Sequence, residues 1–181
     1  MSDSLKSKSK FLSLVLRHQP EIIGLQLDKE GWADMDVLIS ATNRNGHHFT
    51  KELIFQIVAT NDKQRFALST DRTRIRANQG HSVKIDLGLE PQAPPDLLYH
   101  GTAAKFLPAI LVQGLLPQAR QHVHLSALPD TAKSVGSRHG KPVILKIRAL
   151  EMHSQGHVFY CAENGVWLTA AVHPSFFDVD V

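Results

Sequence analysis

The segment DLGLEPQAPPD, residues 86–96, crowds Pro91, Pro94 and Pro95 into one short stretch. Proline fixes φ and has no N–H to donate, so neither a helix nor a central strand is expected there. The segment therefore predicts a linker between an N-terminal domain over 1–85 and a C-terminal domain over 97–181. A chain of 181 residues is long enough for two small domains of that kind. No internal repeat accompanies the division.

N-terminal to the linker, three helical segments precede a hairpin. Ser9 is expected to cap a first helix carrying Phe11, Leu12, Val15 and Leu16 and ending before Pro20. Asp34 caps a second through Val37, Leu38 and Ala41, which ends near Asn45-Gly46. Thr50 caps a third, with Leu53, Ile54, Ile57 and Val58 at helical spacing. RFALS and RIRA then alternate about a turn at Thr70–Arg72, sending Phe66, Leu68 and Ile75 to the core and Arg65, Arg74 and Arg76 to the other face. Three helices followed by a two-stranded wing suggest a winged-helix lobe.

C-terminal to the linker, LLYHGT reads as a strand and Ala103–Gln113 as a helix closed by Gly114. HVHLS reads as a strand, Asp130–His139 as a helix and PVILKIRAL as a long buried strand, while VFYCAENGVWLTAAV supplies two more strands and a turn. Short strands with few helices point to an α+β fold.

Composition excludes several classes. With 43% hydrophobic and 20% charged residues, the chain is neither disordered nor fibrous. No apolar run approaches the roughly 20 residues that cross a bilayer, and MSDSLKSKSK lacks the apolar stretch of a secretory signal. Cys161 is the only cysteine, which leaves no internal disulfide and no cysteine-based zinc site. A cytoplasmic monomer with no membrane association is expected. Net charge is +3, and between Lys63 and Lys84 six cations (Lys63, Arg65, Arg72, Arg74, Arg76, Lys84) face only Asp71 after Asp62. That stretch is either a solvated basic hairpin or a surface for a polyanion.

Individual residues are ambiguous when taken singly. Arg17-His18 closes the first helix, where the dipole favours a cation in any case. Arg65 and Arg120 read equally well as surface charge. His122 and His124 share a strand face, yet further metal ligands are hard to nominate, so no metal is expected. His100-Gly101-Thr102 reads as a turn, or as a place where glycine lets a flat ligand approach the backbone.

Seven segments taken together resemble the NAD-dependent RNA 2′-phosphotransferase family, known for removing a splice-junction 2′-phosphate from tRNA. They are KFLSLVLRHQP (10–20), LDKEGWADMDVLI (27–39), DKQRFAL (62–68), IRANQGHS (75–82), LYHGT (98–102), HVHLS (122–126) and ENGVWLT (163–169). The resemblance implies a winged-helix lobe joined to an ADP-ribosyltransferase-like lobe, with the active site in the cleft between them. It carries a catalytic set onto Arg17, His18, Arg65 and Arg120. NAD, consumed as co-substrate, would lie against His100, Gly101, Thr102, His124, Ser126 and Val166. An apolar Val166 would stand where many protein ADP-ribosyltransferases have Glu. RNA contacts are expected from Lys63, Arg74, Arg76 and Lys84, with tRNA as the partner.

The implied reaction gives nicotinamide, RNA with a free 2′-hydroxyl and ADP-ribose 1″,2″-cyclic phosphate. Two rivals keep the two-lobed plan. One is an ADP-ribosyltransferase that caps terminal phosphates of nucleic acid and stops after the first step. The other is a winged-helix regulator whose second lobe senses NAD.

Overall fold

The computed structural model describes residues 3–180 and is mixed α/β, with small sheets. The chain separates into two compact units, Met1–Gly88 and Leu89–Val181.

The first unit runs α1 (Asp3–Arg17), β1 (Ala33–Asp34), α2 (Met35–Arg44), α3 (Lys51–Ala59), β2 (Phe66–Leu68) and β3 (Arg74–Ala77). Asp34 and Thr50 cap α2 and α3 as expected, accepting from the backbone N–H groups of Val37 at 2.9 Å and Leu53 at 3.2 Å. Such caps contribute about 1 kcal/mol each. The core is made by Leu12, Leu16, Leu38, Ile54, Ile57 and Ile75, none of them exposed. Each contributes about 1.5–3 kcal/mol by leaving water.

Three details depart from the sequence reading. Ser9 is not a cap: α1 already begins at Asp3, and the buried Ser9 hydroxyl accepts from Asn61 Nδ2 at 3.3 Å. The hairpin gains a third strand, because β1 pairs with β3 through Ala33–Ile75 and Asp34–Arg74. Residues 86–96 are not a free spacer throughout, since Pro91 bridges to Tyr160 and Gln92 N–H donates to the Phe159 carbonyl at 2.9 Å.

The second unit runs β4 (Leu97–Ala103), α4 (Leu107–Gln113), β5 (Val123–Leu125), α5 (Pro129–Gly136), β6 (Pro142–Arg148), α6 (Ala149–Ser154), β7 (Phe159–Cys161), β8 (Trp167–Thr169) and β9 (Phe177–Asp180). Two antiparallel three-stranded sheets form, in the orders β4-β6-β9 and β5-β8-β7. A single bridge between Tyr99 and Ser126 joins β4 to the end of β5. The buried faces contribute Leu98, Leu145 and Ile147 from one sheet and Val123, Leu125 and Phe159 from the other.

Several boundaries shift. Ala103 ends β4, residues 104–106 form a 3₁₀ turn, and α4 begins only at Leu107 with Pro108 in its first turn. β6 stops at Arg148, where Ala149 and Leu150 open α6 instead of prolonging the strand. Arg148 anchors that corner through Glu151 at 2.9 Å and Asp178 at 2.6 Å.

Candidate active site

Two groups of polar side chains stand out, one in each unit. In the first unit, α1 ends at Arg17 and His18 follows it. The segment after β3 folds back on that helix end: the Ser82 and Val83 N–H groups both donate to the Arg17 carbonyl, at 2.9 and 3.3 Å. Ser82 Oγ also lies 3.0 Å from His18 Nδ1. Arg17 Nη2 donates to the Arg65 carbonyl at 3.3 Å, and that carbonyl also accepts from Asn78 N–H at 2.9 Å. Asn61 Oδ1 accepts from the N–H groups of Lys63 and Arg65, which fixes the turn leading into β2. The Arg17 and His18 side chains and the backbone of Arg65 thus meet the same stretch of chain.

Sequence reasoning did not single out His81, Asn61, Asn78 or Ser82, although three of them lie in IRANQGHS. His81 is only 2% exposed, and no hydrogen bond satisfies its buried Nε2. Burial, reinforced by Arg17, His18 and Arg76, pushes its pKa down to about 3. The unfolded chain takes that proton near pH 6.5 and the folded chain does not. Stability is therefore level above pH 6.5 and falls on acidification by about 1.4 kcal/mol per pH unit until the folded pKa is reached. Between about pH 7.5 and about pH 5, urea unfolding of the first unit should lose roughly 2 kcal/mol more in the wild type than in His81→Gln. Equal losses in the two proteins would show that His81 does not cause the acid sensitivity.

In the second unit a cavity of about 520 Å³ is lined by His100, Thr102, Phe106, Ile110, Arg120 and His124, among others. His100 and Thr102 alternate along β4 and so reach the same side, and His124 on β5 and His122 just before that strand both line the cavity. His100 Nδ1 lies 3.0 Å from the His124 carbonyl. A carbonyl only accepts, so Nδ1 carries the proton. Burial holds the His100 pKa below the ordinary histidine value, so the ring is neutral and Nε2 is an acceptor. Arg120 Nη1 lies 3.4 Å from His124 Nδ1, and partial desolvation followed by Arg138 lowers the Arg120 pKa.

Gly101, Ser126 and Val166 do not line this cavity. Ser126 and Val166 each sit one step past the Leu125–Trp167 pair of the β5–β8 ladder. A close approach by backbone explains the glycine at 101. A Cβ at that position would overlap the carbonyl oxygen of Ala132 on α5, and one at Gly136 would come within 2.7 Å of the Thr102 carbonyl. Glycine here lets a helix approach the strand.

The basic hairpin is also less open than its charge pattern suggested. Arg76 and Arg74 lie 4.5 and 5.3 Å from the Trp32 ring, and Arg74 pairs with Asp28 at 3.5 Å. Lys63 and Lys84 are exposed. Among the described residues, no group of three or more His, Cys, Asp or Glu side chains is placed to hold a metal ion, and no helix is long and apolar enough to cross a membrane.

Residues 3–171 match the model of a family described as RNA 2′-phosphotransferase, Tpt1 / KptA family. A "probable RNA 2′-phosphotransferase" of Hahella chejuensis is 58% identical over 179 residues, 99% of this chain and 96% of that protein. Proteins of the same description are similar at 52% identity in Acaryochloris marina, covering 98% of each chain, and at 57% in Rhodopirellula baltica, covering 95% of this chain and 94% of that one.

Proposed function

The chain belongs to the RNA 2′-phosphotransferase, Tpt1 / KptA family, and from that premise we propose that it removes an internal RNA 2′-phosphate by transferring it to NAD. The first unit is read as a winged-helix lobe, on its order α1-β1-α2-α3-β2-β3. The second is read as an ADP-ribosyltransferase-like lobe. The observation that carries the proposal is the pairing of residue sets: Arg17, His18 and Arg65 gather in one unit, and Arg120 shares a cavity with His100, Thr102 and His124 in the other.

Arginine forks suit phosphate oxygens and hold the 2′-phosphate as nucleophile. A phosphate oxygen bonds to C1″ of the nicotinamide ribose as the C1″–N bond breaks, and nicotinamide leaves with the electron pair. The nucleophile is already an anion, so Val166 in place of a carboxylate is consistent with the chemistry. The 2″-hydroxyl then bonds to phosphorus, the P–O2′ bond breaks, and the departing O2′ is protonated. His18 takes the hydroxyl proton, and the arginines stabilise charge on the equatorial oxygens without a metal.

A cavity of about 520 Å³ falls within the ordinary range of small-molecule sites. His100 Nε2, an acceptor, would meet a ribose hydroxyl, and the apolar wall of Phe106 and Ile110 would pack against a flat ring. Lys63, Arg74, Arg76 and Lys84 would meet RNA backbone phosphates, which set register but not sequence. A tRNA carrying a splice-junction 2′-phosphate is the proposed substrate class.

Incubating the protein with NAD and a short 2′-phosphorylated RNA, with products identified by mass, tests this reading. Nicotinamide, ADP-ribose 1″,2″-cyclic phosphate and 2′-hydroxyl RNA are expected. Inorganic phosphate released without NAD would replace the reading with a phosphatase, and a stable ADP-ribosylated terminal phosphate would replace it with a capping transferase.

A further inference from the structure

We propose that Trp32, with Arg74 and Arg76 laid against its ring, is a stacking platform for one unpaired nucleobase of the RNA. The proposal rests on the reading of this chain as an RNA enzyme, and it adds a base contact to the phosphate contacts given above. The Arg76 and Arg74 guanidinium groups lie 4.5 and 5.3 Å from the centre of the indole. Beside them a groove of about 610 Å³ runs from Glu30 and Trp32 to Ser69, Thr70 and Asp71 of the β2–β3 turn. That volume is within the ordinary range of small-molecule sites, and every wall belongs to the first unit.

The backbone holds this platform in place. Trp32 stands one step before the Ala33–Ile75 pair, which sets it beside Arg76 on the neighbouring strand. Ile75 is buried, so Arg74 and Arg76 share the outer face of β3. Asp28 ties the parts together. Its Oδ1 accepts from the Trp32 N–H at 2.9 Å, its Oδ2 pairs with Arg74 at 3.5 Å, and its N–H donates to the Trp32 carbonyl at 2.9 Å. The indole is half-buried and keeps area for a ligand. Indole rings and guanidinium planes both stack on the face of a splayed-out base, as in recognition of single-stranded RNA. Charge selects the base over other occupants. Glu30 and Asp71 line the groove with carboxylates, which repel a phosphate but accept from the N–H groups of a base edge. The two arginines in turn repel a cationic peptide.

Trp32 and Trp167 are the two tryptophans of the chain, so Trp167→Phe leaves Trp32 as the sole indole reporter. The full chain carrying that change is titrated, without NAD, with a short single-stranded RNA bearing one 2′-phosphate. Trp32 emission should be quenched as the RNA binds. Replacing each nucleotide in turn by an abasic one should find one position whose loss abolishes the quench. The same loss should weaken binding roughly ten- to a hundredfold, as for one base–aromatic stack. Trp32→Leu should weaken binding of the intact RNA by a similar factor and be insensitive to the abasic change at that position. Trp32→Phe, which keeps a ring, should recover most of the affinity. The abasic series uses protein with Trp32 in place, so it stands even where Trp32→Leu does not fold.

Unquenched Trp32 at saturating RNA would overturn the proposal. So would a quench that persists whichever base is removed, which would mark a change in the protein instead of a stack. Equal quenching by a duplex of the same sequence, whose bases are covered, would overturn it too. All of these signals are read without turnover. A protein that shows the position-specific quench but no NAD-dependent loss of phosphate would refute the proposed reaction and leave the base site standing. Normal turnover with Trp32 unquenched would do the reverse.

Discussion

Arg65→Ala is expected to stall the reaction half-way, accumulating RNA 2′-phospho-ADP-ribose that the wild type scarcely shows. In the first step of the proposed reaction the phosphate would be the nucleophile, and neighbouring cations would partly blunt its attack. In the proposed second step phosphorus would be the centre of the transition state, with charge on its equatorial oxygens. Removing one donor to such a charge typically costs about 10²–10³ in rate, so the loss falls mainly on the second step. The structure makes this variant informative, because Arg65 is held through its backbone. Its N–H bonds Asn61 Oδ1 and its carbonyl accepts from Asn78 and Arg17, all of which survive truncation of the side chain. Arg120→Ala should behave in the same way, since Arg120 stands in the loop before β5 and is not part of the core. A gel time course resolves the outcome, because the intermediate migrates more slowly than the starting RNA. Equal slowing of nicotinamide release and of phosphate transfer in both variants would assign these side chains to substrate binding alone.

The second large effect concerns Gly101. Any side chain there must displace the Ala132 carbonyl, which belongs to the backbone of α5 and cannot rotate away. Gly101→Ala is expected to destabilise the second unit by about 3 kcal/mol or more, the upper range for overpacking. Against a total of roughly 5–15 kcal/mol for a domain, that is a large fraction. In a thermal melt the transition of the second unit should drop while that of the first stays in place, and NAD turnover should fall in step with the folded fraction. A variant that melts like the wild type but binds NAD weakly would instead place Gly101 at the ligand.

What the sequence made legible was local. Asp34 and Thr50 could be recognised as caps because each accepts from an N–H only three residues ahead. The β2–β3 hairpin showed itself in alternation about a short turn, where Asp71 accepts from Ser69 and Thr73 and its carboxyl is held down to about 2. The β4 strand and the His124 imidazole of β5 were equally plain.

Long-range features were not legible. Ala33–Asp34 is a strand only because β3 lies beside it, and two residues carry no periodicity. β9 exists through its pairing with β6. Ser9 has the look of a cap, and only the buried Asn61 gives its hydroxyl a partner inside the helix. Gly101 could be read as close approach, but what approaches was invisible until α5 was placed. Resemblance placed Arg17, His18 and Arg65 by motif, whereas their support by Asn61, Asn78 and Ser82 needed three dimensions.

The return of residues 82–83 to the carbonyl of Arg17 also bears on how the chain acquires its site. Loop closure over so long a separation is entropically costly, and it comes after the local helices have formed. On a ribosome, α1, α2 and α3 can emerge and collapse while His18 still lacks its serine. The cluster at the end of α1 becomes complete only when the last stretch of the first unit has been synthesised and docked. A nascent chain interrupted before that point holds Arg17, His18 and Arg65 without the closure that orders them. Maturation of this site is thus timed by the end of the unit rather than by its beginning.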